Sequence, residues 1–167
     1  MTDTRDVADA RGWPTPAELL EQEDRLALPS LSEADALAIG RRLLSLADAR
    51  DLPVTIEVWR GDRLVFRAAR PGTNAHNDLY LAGKLRVVRH FGHSSFHERL
   101  RHEAAGTTFA AATSLSFPEY APHGGGFPLC VRGTGPVGVA LVSGLPQDQD
   151  HALIVAALEA HLAERAP

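Results

Sequence analysis

Four groups of residues in this chain could carry chemistry. The first is a run of histidines, His90, His93 and His97, spaced i, i+3, i+7, with His102 beyond and His76 before. Neutral imidazoles at that spacing on an unbroken helix could hold zinc or supply an axial ligand to haem iron. Gly92 and the Ser94-Ser95 pair interrupt the helix, however, and no cysteine stands nearby as a further ligand. The residues favour a mildly cationic, partly exposed surface, and no metal site is assigned. The second group is a basic stripe, Lys84, Arg86, Arg89, Arg99 and Arg101, with Glu98 the only acid from 84 to 102. It could draw a carboxylate or phosphate, or it could be the solvated face of two helices.

The third group is His123-Gly124-Gly125-Gly126. Three glycines let backbone N–H groups approach a ligand, and such nests suit anions. A strained loop entering a strand would use the same residues. The Gly-x-x-x-x-Gly-Lys-Ser/Thr pattern of a P-loop is absent. The fourth is Ser143-Gly144 followed by Asp150-His151. Asp148 and Asp150 read as first-turn residues that answer a helix dipole. Adjacent residues on a helix point in different directions, so Asp150 and His151 need not form an acid–base pair. Ser94 and Ser95 lack the Gly-x-Ser-x-Gly elbow that exposes a nucleophile. No residue is therefore given a catalytic role, and whether the chain is an enzyme stays open.

The elements that would position these groups are legible in pattern. Thr15-Pro16-Ala17-Glu18 is a helix start with a capping box, and the helix ends near Gln22 or Asp24. Leu26, Leu28 and Leu31 alternate and predict a first strand, which Pro29 confines to an edge or an end. Ser32 opens a helix running to about Ala49. Val54–Arg60 and Arg63–Ala69 form a hairpin about Gly61-Asp62. A helix from His76 or Asn77 to Phe91 carries Leu81, Leu85, Val88 and Phe91 as its apolar stripe, and a further helix from Ser94 or Ser95 reaches Glu103. Thr107–Pro122 shows no period.

Phe127–Val131 and Val137–Val142 predict a second hairpin. Its second strand turns Val137, Val139, Leu141 and Ser143 to one face and Gly138, Ala140 and Val142 to the other. The small face invites close packing. The last helix, over Ala152–Arg165, supplies one partner with Ile154, Val155, Leu158 and Leu162. The expectation is an α+β fold with a five-stranded antiparallel sheet and helices packed on its faces.

Composition bounds the rest. The chain has 167 residues, the span of one domain, with residues 1–14 read as a flexible tail and 15–165 as the folded unit. At 44% hydrophobic it can build a core, and a net charge of −4 gives no basic signature for nucleic acid. Cys130 is the only cysteine, which excludes an internal disulfide and favours a reducing compartment. It lies in an apolar run and reads as a small buried residue rather than a nucleophile. The polar N-terminus lacks a signal-peptide core, and no apolar run approaches 18 residues. The expectation is a cytoplasmic protein without a membrane partner.

His-Gly-Gly-Gly-Phe-Pro at 123–128 and Val-Ser-Gly-Leu-Pro-Gln-Asp-Gln-Asp-His at 142–151 resemble the signature of the heme-degrading-domain proteins, within the haem-binding-protein/GlcG-like superfamily. Pro71-Gly72-Thr73, Asn77-Asp78, Lys84 and Phe91-Gly-His-Ser-Ser-Phe96 also match, so the resemblance runs from about residue 18 to 162. Leu79-Tyr80 departs from the pattern, where a Trp is expected, and Leu81-Ala82-Gly83 lacks the Arg that often precedes the Lys. The resemblance implies a profilin-like layered sandwich and a tetrapyrrole or small organic acid as ligand, with haem as the implied cofactor. It places the ligand site among His123, Gly124, Gly125, Gly126, Lys84, Ser94, Ser95, Ser143 and His151. The leading expectation is an oligomeric small-molecule-binding protein. The rival is a structural or adaptor homo-oligomer whose glycine-rich motifs build subunit interfaces.

Overall fold

Side-chain caps start most of the helices. Thr15 and Glu18 form a reciprocal capping box at α1 (Pro16–Arg25), as do Ser32 and Asp35 at α2 (Glu33–Ala49). Asn74 and Asn77 do the same at α3 (Ala75–Phe91), which starts slightly ahead of its predicted bounds and ends at Gly92 in the left-handed conformation. Ser94 caps α4 (Ser95–Ala104), and Thr108 caps a short α5 (Phe109–Thr113). The helix α6 (Gln147–Arg165) differs: Pro146 stands at its N-cap and no side chain caps it. The structure is a computed structural model and describes residues 11–166.

Four strands form one antiparallel sheet in the order β2-β1-β4-β3. They are β1 (Thr55–Arg60), β2 (Arg63–Ala69), β3 (Gly126–Val131) and β4 (Gly135–Ser143). Both predicted hairpins are present, and β1 pairs with β4 to join them, Thr55 opposite Ser143 and Arg60 opposite Gly138. The expected fifth strand is a correction. Around Leu28 only a single parallel bridge to Val131 forms, through Leu28 N–H to Cys130 O at 2.8 Å and Arg132 N–H to Leu28 O at 3.0 Å. Pro29 has no N–H to continue the ladder, and Ser32 already turns the chain into α2. The segment is too short for two alternating residues to become a strand.

Helices cover both faces of the sheet. On one face α2 and α6 bury Ile39, Leu43, Ile154 and Leu158 against Ile56, Val58, Ala140 and Val142. On the other, Leu81, Leu85 and Val88 of α3 pack on Val139 and Leu141, with Trp59 at the margin. The small face of β4 is thus filled from within: Gly138 leaves so little room that a Cβ there would lie 2.8 Å from the Leu31 side chain. It is not left over for assembly. Of the tail expected over 1–14, residues 1–10 lie outside the described residues. Trp13 packs edge-on against Phe96, with ring centroids 5.3 Å apart, so the folded unit begins ahead of Thr15.

Leu43 is fully buried between α2 and the sheet. Leu43→Ala is expected to lower the unfolding free energy by about 2–5 kcal/mol, with the urea midpoint falling and the slope unchanged. A loss below about 0.5 kcal/mol, the range of surface changes, would show that α2 is not seated as described.

Candidate functional site

The C-terminal end of β4 is where the elements carrying the candidate residues meet. Lys84 projects from α3, three residues after Leu81 and four before Val88, and so falls within the buried stripe. It is 2% exposed. Its Nζ donates to the Val142 carbonyl at 2.9 Å and to Asp150 Oδ2 at 3.1 Å. Asp150, also 2% exposed, heads the buried stripe of α6 that continues through Leu153, Ile154 and Ala157. Its other oxygen accepts the Leu145 N–H at 2.9 Å, just outside the helix. Burial pushes the Lys84 ammonium down and the Asp150 carboxyl up, while the attraction between them opposes both shifts.

The glycines let a loop thread through this junction. Gly125, at φ +115°, passes so close that a Cβ there would lie 2.3 Å from Val142 O and 2.7 Å from Lys84 Nζ. A Cβ on Gly124 would meet the Gln147 carbonyl at 2.2 Å. Two of the three N–H groups expected to form an anion nest already have partners. Gly124 N–H donates to Gln147 Oε1 at 3.2 Å and Gly126 N–H to Ser95 Oγ at 2.9 Å. The Ser95 hydroxyl in turn donates to the His123 carbonyl at 2.5 Å. The triple glycine is therefore a close-packing device, held by Ser95 and Gln147.

A cavity of about 310 Å³ opens beside this loop, with Lys84, Asp150, Ser143, His123, Tyr80 and Gln147 among its walls. Among the described residues, the Ser143 hydroxyl and the Tyr80 phenol have no hydrogen-bond partner, which leaves both for a ligand. Tyr80 stands at the departure from the family pattern and supplies an aromatic wall, its ring 5.5 Å from His123 and 5.2 Å from His76. Arg99 Nη1 donates to His123 Nδ1 at 3.3 Å. Burial, then the charges of Arg99 and Lys84, lower the His123 pKa to about 4, so the ring is neutral at physiological pH.

Of the expected site residues, Lys84, His123 and Ser143 line the cavity, and Gly124, Gly125, Gly126 and Ser95 form the packed layer behind it. Ser94 and His151 lie elsewhere. Ser94 is the α4 cap, and its N–H donates to Glu23 at 2.7 Å. His151 is buried between Phe96 and Phe127, with Nε2 2.6 Å from Gln22 Oε1. Asp150 was legible as a carboxylate in a first turn but not as the partner of Lys84. The available signal was its spacing, three and four residues before Leu153 and Ile154. Lys84 carries the same signal, three residues after Leu81 and four before Val88.

The His93 and His97 rings lie 5.0 Å apart, but the histidine run and the basic stripe are held mainly by neighbouring carboxylates, carbonyls and rings. His93 Nδ1 lies 2.8 Å from Glu23 and His97 Nδ1 3.2 Å from Glu98, while His90 packs on Phe91 and Tyr120. Among the described residues no group of three His, Cys, Asp or Glu side chains is arranged to hold a metal ion. Arg89 sits over Trp59, and Arg101 bonds Glu98. Arg99 pairs with Glu103, and Arg86 donates to the Glu119 carbonyl. Cys130 is half-buried rather than buried, and its burial, then the charges of Glu23 and Asp24, push its thiol up to about 11, which does not suit a nucleophile.

The chain matches the model of the haem degrading protein HbpS-like family over residues 31–159, and it belongs to that family. A UPF0303 protein of Streptomyces avermitilis is 47% identical over 153 residues, covering 92% of this chain and 94% of the relative. A UPF0303 protein of Brucella suis is 38% identical over 147 residues, covering 88% of this chain and 87% of the relative. The crystal structure of Ybr137w protein matches at a TM-score of 0.84 and 27% identity, over 94% of this chain and 92% of that one. Those of HbpS and of a PduOC:heme complex share the fold, at TM-scores of 0.62 and 0.65 and 19% identity each. They cover 79% and 78% of this chain, and 89% and 94% of their own.

Two measurements check this description. Lys84→Met and Asp150→Leu should each cost roughly 3–5 kcal/mol, because each leaves one buried charge unpaired. The double variant should lose much less than the sum, and strictly additive losses in the cycle would show that the groups do not meet. The second concerns His151, whose burial lowers its pKa to about 4, below the usual 6.5. The unfolded chain takes up the proton first as pH falls, so this stability is present above about pH 6.5 and is lost on going down to about 4. Unfolding of the wild type and of His151→Phe across that window should show the wild type losing roughly 3 kcal/mol more. Parallel curves would show that the imidazole is not buried.

Proposed function

We propose that the chain binds a small oxygenated organic acid in the cavity at the end of β4. The observation that carries the reading is the combination, in the lining of one cavity, of a buried amine, a free serine hydroxyl and the first residue of a helix without a side-chain cap. Gln147, the first residue of α6, lines the same cavity as Lys84 and Ser143. The positive end of a 19-residue helix favours a carboxylate there. The Ser143 hydroxyl and the Tyr80 phenol serve the other oxygens of the ligand. At about 310 Å³ the cavity is at the small end of the ~300–1,000 Å³ range of ligand sites.

The family's description points to haem, and a relative in fold is a PduOC:heme complex. This cavity does not fit a tetrapyrrole. A macrocycle needs a broad apolar slot, whereas these walls carry Lys84, Asp150, Gln147, Ser143 and Asn77. His123, the histidine best placed for iron, has the Arg99 guanidinium against one ring nitrogen, a cation where a metal would add another. The reading takes the chain to act in the cytoplasm as a homo-oligomer. A lone cysteine supports a reducing compartment, and the exposed outer strand β2 offers an open edge for self-association. No helix of the described residues is long and apolar enough to cross a membrane.

A thermal-shift panel of short hydroxy and oxo acids, set beside haemin, tests the proposal. A ligand at a hundred times its Kd stabilises the fold by about 2.7 kcal/mol. Ser143→Ala is expected to weaken binding of the best acid by about 0.5–1.5 kcal/mol while leaving the unliganded melting temperature nearly unchanged. Stabilisation by haemin alone, untouched by Ser143→Ala, would move the ligand to another class and another site.

A further inference from the structure

Lys84 is the chain's only lysine; arginine fills every other position in the total of 17 Lys plus Arg residues. The arginines described above sit at surfaces and margins and hold carboxylates or carbonyls. The single amine instead lines the cavity and is 2% exposed. A guanidinium could satisfy a buried carboxylate with more donors, but it cannot give up its proton in a protein. An amine can, and it then becomes a nucleophile. Nζ has three substituent positions beyond its carbon. Two are spent on Val142 O at 2.9 Å and Asp150 Oδ2 at 3.1 Å, and the third has no protein partner among the described residues.

We propose that Lys84 forms a reversible imine with the carbonyl carbon of a 2-oxo acid or aldehyde-acid bound in this cavity, with Asp150 as its proton carrier. The inference rests on the organic-acid reading above and names the substrate class within it. The carboxylate sits at the start of α6, and the adjacent carbonyl carbon faces Nζ. Asp150 takes a proton from the ammonium, and the free amine adds its lone pair to the carbonyl carbon. The carbonyl π electrons move to oxygen, which takes the proton held by Asp150. The carbinolamine then loses its hydroxyl as water, with the second N–H proton leaving through Asp150, and a C=N bond remains. The net change is one ammonium and one carbonyl going to one protonated imine and one water, with Asp150 returned to its carboxylate. Burial moves both Lys84 and Asp150 toward their neutral forms, in keeping with an amine free to add.

The test incubates the full chain with pyruvate or glyoxylate, with and without sodium cyanoborohydride, and follows intact mass and a peptide map. The expected result is one reduced adduct per chain, mapped to Lys84, absent without the reductant and completely lost in Lys84→Met. The only other amine is the α-amino group, which the peptide map separates, so the wild-type result stands even if the variant folds poorly. Thermal stabilisation by both acids with no trapped adduct would overturn the imine and leave the binding site intact. An adduct confined to the α-amino group would overturn it as well. Neither stabilisation nor an adduct would overturn the site together with its chemistry.

Discussion

A lysine and an aspartate taken out of water at the end of β4 constrain everything around them. Each loses hydration worth several kcal/mol, and only close pairing with further hydrogen bonds offsets that cost. Here the supplementary bonds come from the backbone: the Val142 carbonyl accepts from Lys84, and the Leu145 N–H donates to Asp150. The pair therefore fixes more than two side chains. It ties α3, on one face of the sheet, to α6 on the other, through the last residues of β4 and the turn that follows.

The loop before β3 obeys the same constraint. It must cross between Lys84, Val142 and the start of α6, where backbone approaches leave no space for a Cβ at Gly124 or Gly125. Gly125 also needs a positive φ. Once the loop lies there, its N–H groups reach Gln147 and Ser95, and the two seal its path. Asp150 cannot cap α6 in the ordinary way while it serves Lys84, and Pro146 brings no capping side chain. The start of α6 thus has no side-chain cap, only the first-turn carboxylates Asp148 and Asp150, and Gln147 at its head lines the cavity. A packing requirement and a binding surface arise from one arrangement.

Much of the fold was legible because capping and periodicity are local. Thr15, Ser32 and Ser94 act where their types suggest, and alternation sorts Val139 and Leu141 to one face of β4 and Ala140 and Val142 to the other, while Val137, near the register shift, packs with the second set. The lost strand at Leu28 shows the limit, since two leucines in alternation do not make a ladder when Pro29 ends it. The five-residue α5 is too short to show a period at all. The site was partly legible. The sequence singles out Lys84, His123 and Ser143, and all three line one cavity. Which partner a buried lysine finds, 66 residues away, is a property of the sheet's order and not of any local pattern. The same holds for His151, which stands beside Asp150 in sequence but points into the Phe96–Phe127 layer.

The choice of lysine over arginine decides how this junction is understood. A purely structural cation would gain from a guanidinium's extra donors, and this chain uses arginine freely for that purpose. A purely structural site could also dispense with charge, since apolar pairs of similar volume are often as stable as buried ion pairs. An amine lining a polar cavity, with a carboxylate 3.1 Å away and a free hydroxyl in the same lining, keeps a capacity that neither substitute has. It can exchange a proton with its partner and present a lone pair to a bound carbonyl. That capacity explains why an ion pair costly to bury occupies the junction on which the two faces of the fold depend.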